Sequence, residues 1–382
     1  MQTRIRVLHI IKTLGLGGAE TNLLNLAQAF DAERVETHVA YSYGGEIEQR
    51  FRDAGVTLFK YAEQSHRVKS LHSLAIVARL AAYIRRRRID IVQTHNFNGH
   101  IWGLLAAKLA GAKLIEHVHD FRYVPAPELQ RRHGLLPQYR FIRYFRRRSD
   151  RIIVLTGANR DYVLGERFAE PAQVVELHNG IDLRRPAGRG AAAVRQRLGL
   201  AADAVVVLTA ARMDPSKNIE LIVRAAASVA AAEPRTVFVI AGSGPCLAQY
   251  QAQAAAAGVA ARVRFIGFQQ DVNELLAAAD VFLLPSFLEL HSIAVLEALR
   301  MKLPVVISAG VGCNDEFISH GVNGYLCDPF RDEPWIAALR ALCSDAALRR
   351  RIGERGHETC ERRFDIRHTA RRMEALFAEL AA

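Results

Sequence analysis

The sequence has little cysteine, and the few cysteines present do not form a recognisable framework. Five cysteines occur in 382 residues, all in the second half of the chain, and no pair has the C-x-x-C spacing. An odd number without that spacing argues against a disulfide scaffold and against a metal site built from thiolates. We therefore expect a protein of a reducing, cytoplasmic compartment.

Long apolar runs are also missing. The N-terminal run RIRVLHII is too short for a signal peptide, and the best apolar stretch, IWGLLAAKLAGAKLI, is interrupted by Lys108 and Lys113. We therefore predict no membrane span. Heptads, low-complexity tracts and short repeats are absent from the sequence as well. The sequence therefore indicates an ordinary globular protein that is long enough to form two hydrophobic cores.

Acidic residues are outnumbered by basic ones. The net charge is +12 and the pI is about 9.8, so an anionic partner is expected: nucleic acid, nucleotide or anionic lipid. Arginines concentrate at residues 85–88 and 139–151, where Arg140, Arg143, Arg146 and Arg147 interleave with Phe141, Ile142 and Phe145 at helical spacing. Such a helix either lies on an anionic membrane or buries its aromatic rings in its own domain while its arginines face water. No aromatic-rich basic motif indicates nucleic acid.

Short runs of Val, Ile and Leu alternate with longer amphipathic segments, which is typical of strand–helix units around parallel sheets. The first set of predicted strands spans residues 4–11, 36–41, 56–61, 89–94, 113–117, 151–155 and 174–177. The turn-rich stretch NGIDLRRPAGRG, residues 179–190, suits a linker. The second set spans residues 204–210, 236–241, 263–266, 281–284, 304–308 and 325–327. We predict an α/β protein with two doubly wound domains and a closing helix at 366–380.

In open parallel sheets, ligands bind beyond the carboxyl ends of the strands, so the loops there are the candidate sites. The loop after the first strand reads GLGGAET, and its glycines allow a backbone to approach a phosphate in front of a helix. The same glycines also fit a simple tight turn. A dinucleotide dehydrogenase would need an acidic residue at the end of the second strand, where Ala40, Tyr41 and Ser42 stand instead.

The loop ARMDPSKN carries two cations, Arg212 and Lys217, at the end of a predicted strand. Two cations on one such loop can clamp a diphosphate and stabilise the negative charge that grows as the diphosphate leaves. The same sequence also fits a charged loop whose cations simply face solvent. The chain contains no D-x-D motif that could bridge a magnesium ion to the diphosphate. We therefore expect the cations to replace the metal.

The loop SFLELHSIAVLE, residues 286–297, leads into a helix that we expect to begin near Ser292. Glu289 stands on the loop, and Glu297 falls in the second turn of the helix. A helix N-terminus supplies backbone donors for phosphate or sugar oxygens. The two acceptor oxygens of Glu297 can hold the vicinal hydroxyls of a ribose.

Taken together and in order, these motifs resemble glycosyltransferase family 4 over nearly the whole chain. They are GGAE near the N-terminus, VHD at 118–120, NGID at the linker, Arg212 with Lys217, AGSGP at 241–245, PSFLE at 285–289, the Glu289/Glu297 pair and the PVV to GVNGYL stretch at 304–326. The resemblance implies the GT-B fold, in which two Rossmann-like domains face each other across a cleft. Here these would be residues 1–182, with residues 364–382 packing back on them, and residues 183–363. It further implies retaining, metal-independent sugar transfer.

The resemblance also implies roles for individual residues. Arg212 and Lys217 would bind the diphosphate, Glu297 the ribose, Glu289 the hydroxyls of the transferred sugar, and His119 would lie near the reacting carbon. The remaining donor contacts would come from Gly17, Gly18, Gly242, Gly244, Phe268, Ser292 and Glu316. In the family's usual mechanism no protein carboxylate attacks, and the leaving phosphate takes the proton of the acceptor hydroxyl.

One stretch departs from the family pattern, which usually has Gly-Phe-Gly where this chain has Leu290, His291 and Ser292. His291 is a candidate donor contact, or it caps or packs the loop. The acceptor is expected at His95 and Asn96, near the end of another predicted strand. As an alternative, His95, His117, His119 and Asp120 could converge as a metal site.

We therefore predict a cytoplasmic glycosyltransferase that needs no metal and no cofactor beyond its nucleotide-sugar co-substrate, with a UDP-sugar favoured over a GDP-sugar. The expected acceptor is a lipid-linked glycan of bacterial polysaccharide or envelope assembly, reached at the inner face of the membrane through the basic patches. A small alcohol or aminosugar acceptor is the alternative. So is a nucleotide-sugar binding protein that has lost catalysis, although the presence of both Glu289 and His119 favours an enzyme.

Overall fold

The computed structural model describes residues 4–15, 17–62, 71–95, 97–119, 144, 146–186 and 190–382. The chain divides into two compact units. Unit 1 consists of residues 1–180 together with residues 366–382, and unit 2 consists of residues 181–365. The sequence placed the boundaries after residues 182 and 363.

Unit 1 is built on a sheet in which all described strand pairs are parallel, in the order β3-β2-β1-β4-β5-β6-β7. The strands are β1 Ile5–Ile10, β2 Val35–Tyr41, β3 Thr57–Lys60, β4 Ile91–Thr94, β5 Lys113–His117, β6 Arg151–Val154 and β7 Val174–Glu176. The order reverses between β1 and β4. In a doubly wound sheet this switch point opens a crevice at the carboxyl edge.

Helices cover both faces of this sheet. They are α1 Gly18–Ala29, α2 Glu48–Asp53, α3 Leu71–Arg87, α4 Phe97–Ala110, α5 Gly157–Gly165 and, at the end of the chain, α14 Ile366–Ala381. Buried side chains of α3 and α4 share a core with Leu8, Ile10 and Val92. On the other face, Met373 and Phe377 of α14 join a core with Val7 and Ile91. The last helix therefore completes the first unit.

Unit 2 repeats the plan with a parallel sheet in the order β10-β9-β8-β11-β12-β13. Its strands are β8 Val205–Ala210, β9 Thr236–Ala241, β10 Val263–Gly267, β11 Val281–Leu284, β12 Val305–Ser308 and β13 Tyr325–Cys327. Its helices are α6 Ala191–Arg197, α7 Ile219–Ala232, α8 Leu247–Ala256, α9 Val272–Ala278, α10 Ile293–Arg300, α11 Asn314–Phe317, α12 Asp332–Ser344 and α13 Ala346–Arg363. The order reverses between β8 and β11, which is the switch point of unit 2.

The predicted strands and the α/β architecture are confirmed. All thirteen predicted strands form within two residues of their expected ends, and the helix expected near Ser292 begins at Ile293 with Ser292 as its N-cap. The five cysteines are free thiols. Within the part of the chain that the structure describes, no helix is both long and apolar enough to cross a membrane.

One expectation about the second arginine cluster is wrong. Arg146 was expected to face either a membrane or water, but only 1% of it is exposed and its guanidinium donates to Glu116 of β5. The helical spacing of the arginines could not reveal this contact, because the buried carboxylate of Glu116 belongs to a different element, the strand β5. Residues 139–143 and 145 lie outside the described residues, so the rest of that prediction stays a prediction.

Candidate functional site

At the switch point of unit 2, a cation from the loop after β8 meets a carboxylate from the loop after β11. The Lys217 Nζ lies 2.7 Å from Glu289 Oε1, and the Ser286 hydroxyl donates to the same oxygen at 2.9 Å. The side chains of Lys217 and Glu289 are 16% and 12% exposed. Such a mostly buried pair presents an ammonium to anions, while the second carboxylate oxygen of Glu289 can accept a hydroxyl.

Local turn chemistry positions Lys217. Asp214 caps the 3₁₀ turn Pro215–Lys217 by accepting from the Ser216 N–H at 2.9 Å. Asn218 follows in the left-handed conformation, φ 51° and ψ 41°, and its side-chain amide donates to the Pro329 carbonyl at 3.0 Å. The helix α7 begins at the next residue. Lys217 is thus held beside a helix N-terminus, where anions bind favourably.

The second predicted cation has a different environment. The Arg212 side chain is 72% exposed, and its Nε lies 3.6 Å from Asp214 Oδ2. Arg212 therefore shares a loop with Lys217 but extends into solvent beside Asp214. Its binding to a diphosphate stays a prediction.

The glycines of AGSGP have a packing role that the sequence did not reveal. Met213, next to Arg212, donates its N–H to the Ser243 carbonyl at 2.9 Å. A Cβ on Gly242, whose φ is 143°, would lie 1.9 Å from the Ala211 carbonyl oxygen, and one on Gly244 would lie 2.4 Å from that of Met213. Both glycines therefore allow the loop after β9 to pack closely against the loop after β8. Their contact with a donor stays a prediction.

Glu297 lies in the second turn of α10, as predicted, and is paired with a residue that sequence reasoning missed. Its Oε1 lies 3.7 Å from the Arg185 Nη1, and the Glu297 side chain is 13% exposed. Arg185 also contacts Asp271 at 3.3 Å. Arg185 belongs to the linker stretch, where nothing in the sequence distinguishes it from Arg184.

Three further predicted donor residues are now placed. His291 is buried, with its ring 4.9 Å from that of Phe364 and 5.8 Å from that of Phe317, so the structure shows the packing alternative. Phe268 follows β10 directly and is 47% exposed. Glu316 is exposed on the short helix α11. The donor contacts assigned to these three residues stay predictions.

In unit 1, the carboxyl edge around the switch point carries a group of histidines. The His9 Nδ1 lies 3.1 Å from His95 Nε2, and the His95 Nδ1 lies 3.1 Å from His119 Nε2. The His117 Nδ1 lies 3.0 Å from the side-chain nitrogen of Gln93. His9 was not among the predicted site residues. Its position in the apolar strand β1, beside the switch point, is the signal that could have found it.

Burial keeps these four rings neutral. It lowers the pKa of His9 to about 3 and that of His119 to about 4. Burial, assisted by the neighbouring histidines, also holds the pKa of His95 and of His117 well below the ordinary value of 6.5. At neutral pH the group can donate and accept hydrogen bonds with a sugar but adds no positive charge.

Three of these histidines are also the candidate metal ligands. Ring nitrogens of His95, His117 and His119 lie within 4.8 Å of one another, and neutral imidazoles are suitable metal ligands. Both ring nitrogens of His95 already lie at hydrogen-bond distance from neighbouring histidines, which favours the hydrogen-bonded group. Asp120 and Asn96 lie outside the described residues.

The glycine loop after β1 leads into α1 as predicted. Gly17 is the N-cap residue, and a Cβ on it would lie 2.2 Å from a carboxylate oxygen of Glu20. Burial raises the pKa of Glu20. Gly18 is exposed, with open space where a Cβ would be. Approach of a phosphate to this loop stays a prediction.

Two doubly wound parallel sheets in one chain match the GT-B fold. The fold matches that of Anabaena Alr3699/HepE in its complex with UDP and glucose, with a TM-score of 0.85 and 22% identity, over 98% of this chain and 100% of that one. Residues 16–185 match the profile of Glycosyltransferase Family 4, and residues 191–359 that of Glycosyl transferases group 1. The chain belongs to this glycosyltransferase family.

Two relatives of the chain are named for different transfer reactions. The chain is 25% identical over 354 residues to the UDP-Gal:alpha-D-GlcNAc-diphosphoundecaprenol alpha-1,3-galactosyltransferase of Escherichia coli, which covers 91% of this chain and 90% of that protein. It is 32% identical over 281 residues to the D-inositol 3-phosphate glycosyltransferase of Streptomyces avermitilis, which covers 69% of this chain and 60% of that protein.

Proposed function

We propose that this glycosyltransferase moves a hexose-type sugar from a UDP-sugar to an acceptor hydroxyl, with retained configuration and without a metal ion. The observation that carries the proposal is the Lys217–Glu289 pair at the switch point of unit 2, where a doubly wound sheet binds its ligand. The structural neighbour in complex with UDP and glucose and the relative named for UDP-galactose support a UDP-linked donor.

The donor would be held by residues of unit 2. Lys217 and Arg212 would neutralise the diphosphate in place of a metal ion, and their charge would oppose the negative charge that develops as the diphosphate leaves. Glu297 would accept the ribose hydroxyls, and Glu289 those of the transferred sugar. The pairing of Glu289 with Lys217 would link recognition of the sugar to recognition of the phosphate.

Transfer would proceed without a protein nucleophile. The leaving phosphate would take the proton of the acceptor hydroxyl while the new bond forms on the same face of the sugar. His119 and His95 are neutral because they are buried, so they would orient hydroxyl groups as hydrogen-bonding partners and would not act as cations.

The proposed acceptor is a lipid-linked glycan, as the name of the Escherichia coli relative indicates for that protein. This assignment places the enzyme in envelope or polysaccharide assembly, at the inner face of the cytoplasmic membrane. A small phosphorylated alcohol is the second candidate, because the Streptomyces avermitilis relative is named for D-inositol 3-phosphate.

Thermal-shift screening of nucleotide sugars tests the donor, since a ligand that binds only the folded protein raises its melting temperature. Transfer is then measured with the stabilising donor and both acceptor types, with and without a chelator, and the product's anomeric configuration is read by NMR. Full turnover in chelator with retained configuration is expected. An inverted product or a metal requirement would contradict the mechanism.

Substitutions at the ion pair test the site. Lys217→Ala should lower kcat/KM by about 100-fold, because losing one preorganised charge-stabilising group costs about 3 kcal/mol in the transition state. Glu289→Gln should lower turnover while donor binding persists. Arg235→Ala is the matched control, because Arg235 is exposed just before the amino end of β9. Equal kcat/KM in Lys217→Ala and the control would remove the assigned role.

A further inference from the structure

In unit 2, the guanidinium of Arg185 lies between two carboxylates that come from different elements. Its Nη1 is 3.7 Å from Glu297 Oε1 on α10, and its Nη2 donates to Asp271 Oδ1, just before α9, at 3.3 Å. The Arg185 side chain is 29% exposed and that of Glu297 is 13% exposed. Because water reaches this contact only in part, the attraction between the two charges is strong enough to orient the carboxylate.

A set of hydrogen bonds holds Arg185 in this place. The buried Arg300, at the end of α10, donates from Nη1 to the Arg185 carbonyl at 2.5 Å and from Nη2 to Asn273 Oδ1. Asn273 in turn donates its backbone N–H and its side-chain amide to Asp271 Oδ1, at 3.0 and 2.9 Å. The main chain of Arg185 and its partner Asp271 are therefore fixed by the same network, and the cation stands beside Glu297 before any ligand arrives.

The role assigned to Glu297 requires such a cation. In a nucleoside diphosphate the ribose ring is joined to the first phosphate through a single carbon atom. A carboxylate that accepts the ribose hydroxyls is therefore close to the negative charge of the diphosphate, and the two repel each other more strongly in a partly buried site than in water. The positive charge of Arg185 beside Glu297 offsets this repulsion.

Arg185 also connects α10 to the loop after β10. Asp271 is the N-cap residue of α9 and follows shortly after Phe268, an exposed ring and a predicted donor contact. Through Arg185, the segment that carries Phe268 is linked to the helix that carries Glu297. Two predicted contacts with the donor thus share one positioning side chain, although that side chain comes from the linker stretch.

We propose that Arg185 is a positioning residue for the donor nucleoside. It orients the Glu297 carboxylate towards the ribose hydroxyls and offsets the repulsion between this carboxylate and the diphosphate. Arg185 acts through Glu297 and needs no contact of its own with the donor. The inference rests on the proposed function, which assigns the ribose to Glu297 and a UDP-sugar to the donor site. Selection of ribose over 2′-deoxyribose should therefore depend on both members of the pair.

Calorimetric titration of the full chain with UDP and with 2′-deoxy-UDP tests the proposal. The wild type should bind UDP about tenfold more tightly, the usual effect of one hydrogen bond to a charged group. Arg185→Ala should reduce this preference to about twofold, because the carboxylate loses its orientation. Arg185→Lys should restore part of the preference, because an ammonium keeps the charge but lacks the planar fork that contacts both carboxylates.

Arg184→Ala is the matched control. It removes the same charge from the neighbouring residue, whose side chain is 69% exposed beside Asp182. The control should keep the wild-type preference for UDP over 2′-deoxy-UDP. Any effect of Arg185 on the diphosphate alone acts equally on both ligands, so it cancels in the ratio of their affinities. A merely structural role of Arg185 would lower the melting temperature and leave this ratio unchanged, which would overturn the proposal.

A double-mutant cycle with Glu297→Gln completes the test. Glu297→Gln removes the carboxylate charge, so adding Arg185→Ala should weaken UDP binding far less than it does in the wild type. An equal loss in both backgrounds, or an unchanged ribose preference in Arg185→Ala, would overturn the inference and leave Glu297 in its assigned role. A wild type that binds UDP and 2′-deoxy-UDP equally well would instead remove the ribose assignment of Glu297, and the inference with it.

Discussion

At the scale of single residues, a buried ion pair fixes the segment that precedes β6 against β5. The Arg146 Nε and Nη2 donate to Glu116 Oε1 at 3.0 and 2.7 Å, and its guanidinium lies 5.7 Å from the ring centroid of Phe168. Glu116 precedes His117, so the pair supports the strand end that carries the histidines. Loss of Arg146 would leave the buried Glu116 carboxylate without the cation that neutralises it.

Arg146→Met should therefore destabilise unit 1 by about 3–5 kcal/mol, the usual effect of removing one partner of a buried ion pair. Urea unfolding measures the change. Arg147→Met is the control, because this arginine is 43% exposed beside Glu170 and should change stability by about 1 kcal/mol or less. If the double change Glu116→Gln with Arg146→Met is as unstable as Arg146→Met alone, the uncompensated charge is not the cause.

The buried histidines predict a pH dependence of stability. Because the pKa values of His9 and His119 fall to about 3 and about 4 on folding, the unfolded chain binds protons below pH 6.5 that the folded unit does not. Stability should be full above pH 6.5 and decline towards pH 4, by about 1.4 kcal/mol per pH unit for each such histidine.

Urea unfolding between pH 7.5 and 5 measures this slope. His9→Gln should reduce it by the contribution of one proton. His368→Gln should leave it unchanged, because His368 is exposed. A slope that His9→Gln does not alter would mean that other groups produce the acid sensitivity.

At the scale of elements, the strands were predictable because their environment is uniform. Both faces of a parallel sheet are covered, so its strands are continuous apolar runs that stand out from amphipathic helices. The partners of particular side chains were not predictable, because they depend on which element packs there. Three pairs of residues that are distant in sequence come into contact only in the folded protein: His9 with His95, Arg146 with Glu116, and Gly242 with Ala211.

The helix α14 illustrates a long-range contribution of one element. Phe377 is fully buried and contacts the rings of His9 and Phe30, more than three hundred positions earlier in the chain. Phe377→Ala should destabilise unit 1 by about 3–5 kcal/mol, through lost burial and the cavity left behind. Hydrogen exchange should show faster exchange in unit 1 and no change in unit 2. Arg371→Ala serves as the control, because Arg371 is exposed on the same helix.

At the scale of the whole molecule, unit 2 is continuous in sequence and unit 1 is not. Residues 181–365 expressed alone should therefore melt cooperatively and be stabilised by the nucleotide sugar, whereas residues 1–180 alone should aggregate because the core beneath α14 is uncovered. Calorimetry and light scattering measure both outcomes.

A rejoined form of unit 1 supplies the control. A Cβ on Gly180 would lie 2.7 Å from the Cα of Ile366, so a short glycine–serine linker can connect residue 180 to residue 366. This version should be soluble and folded. A folded 1–180 fragment, or an unfolded rejoined chain, would show that α14 does not complete the unit.

The split of unit 1 also sets an order of events during translation. The 185 residues of unit 2, from 181 to 365, are synthesised before α14 appears, which takes roughly 10–40 s at 5–20 residues per second. Throughout that interval the nascent first unit carries an uncovered apolar face. A chain whose synthesis ends before residue 366 would thus have a folded second unit and an incomplete first one, and chaperones would bind its exposed apolar face.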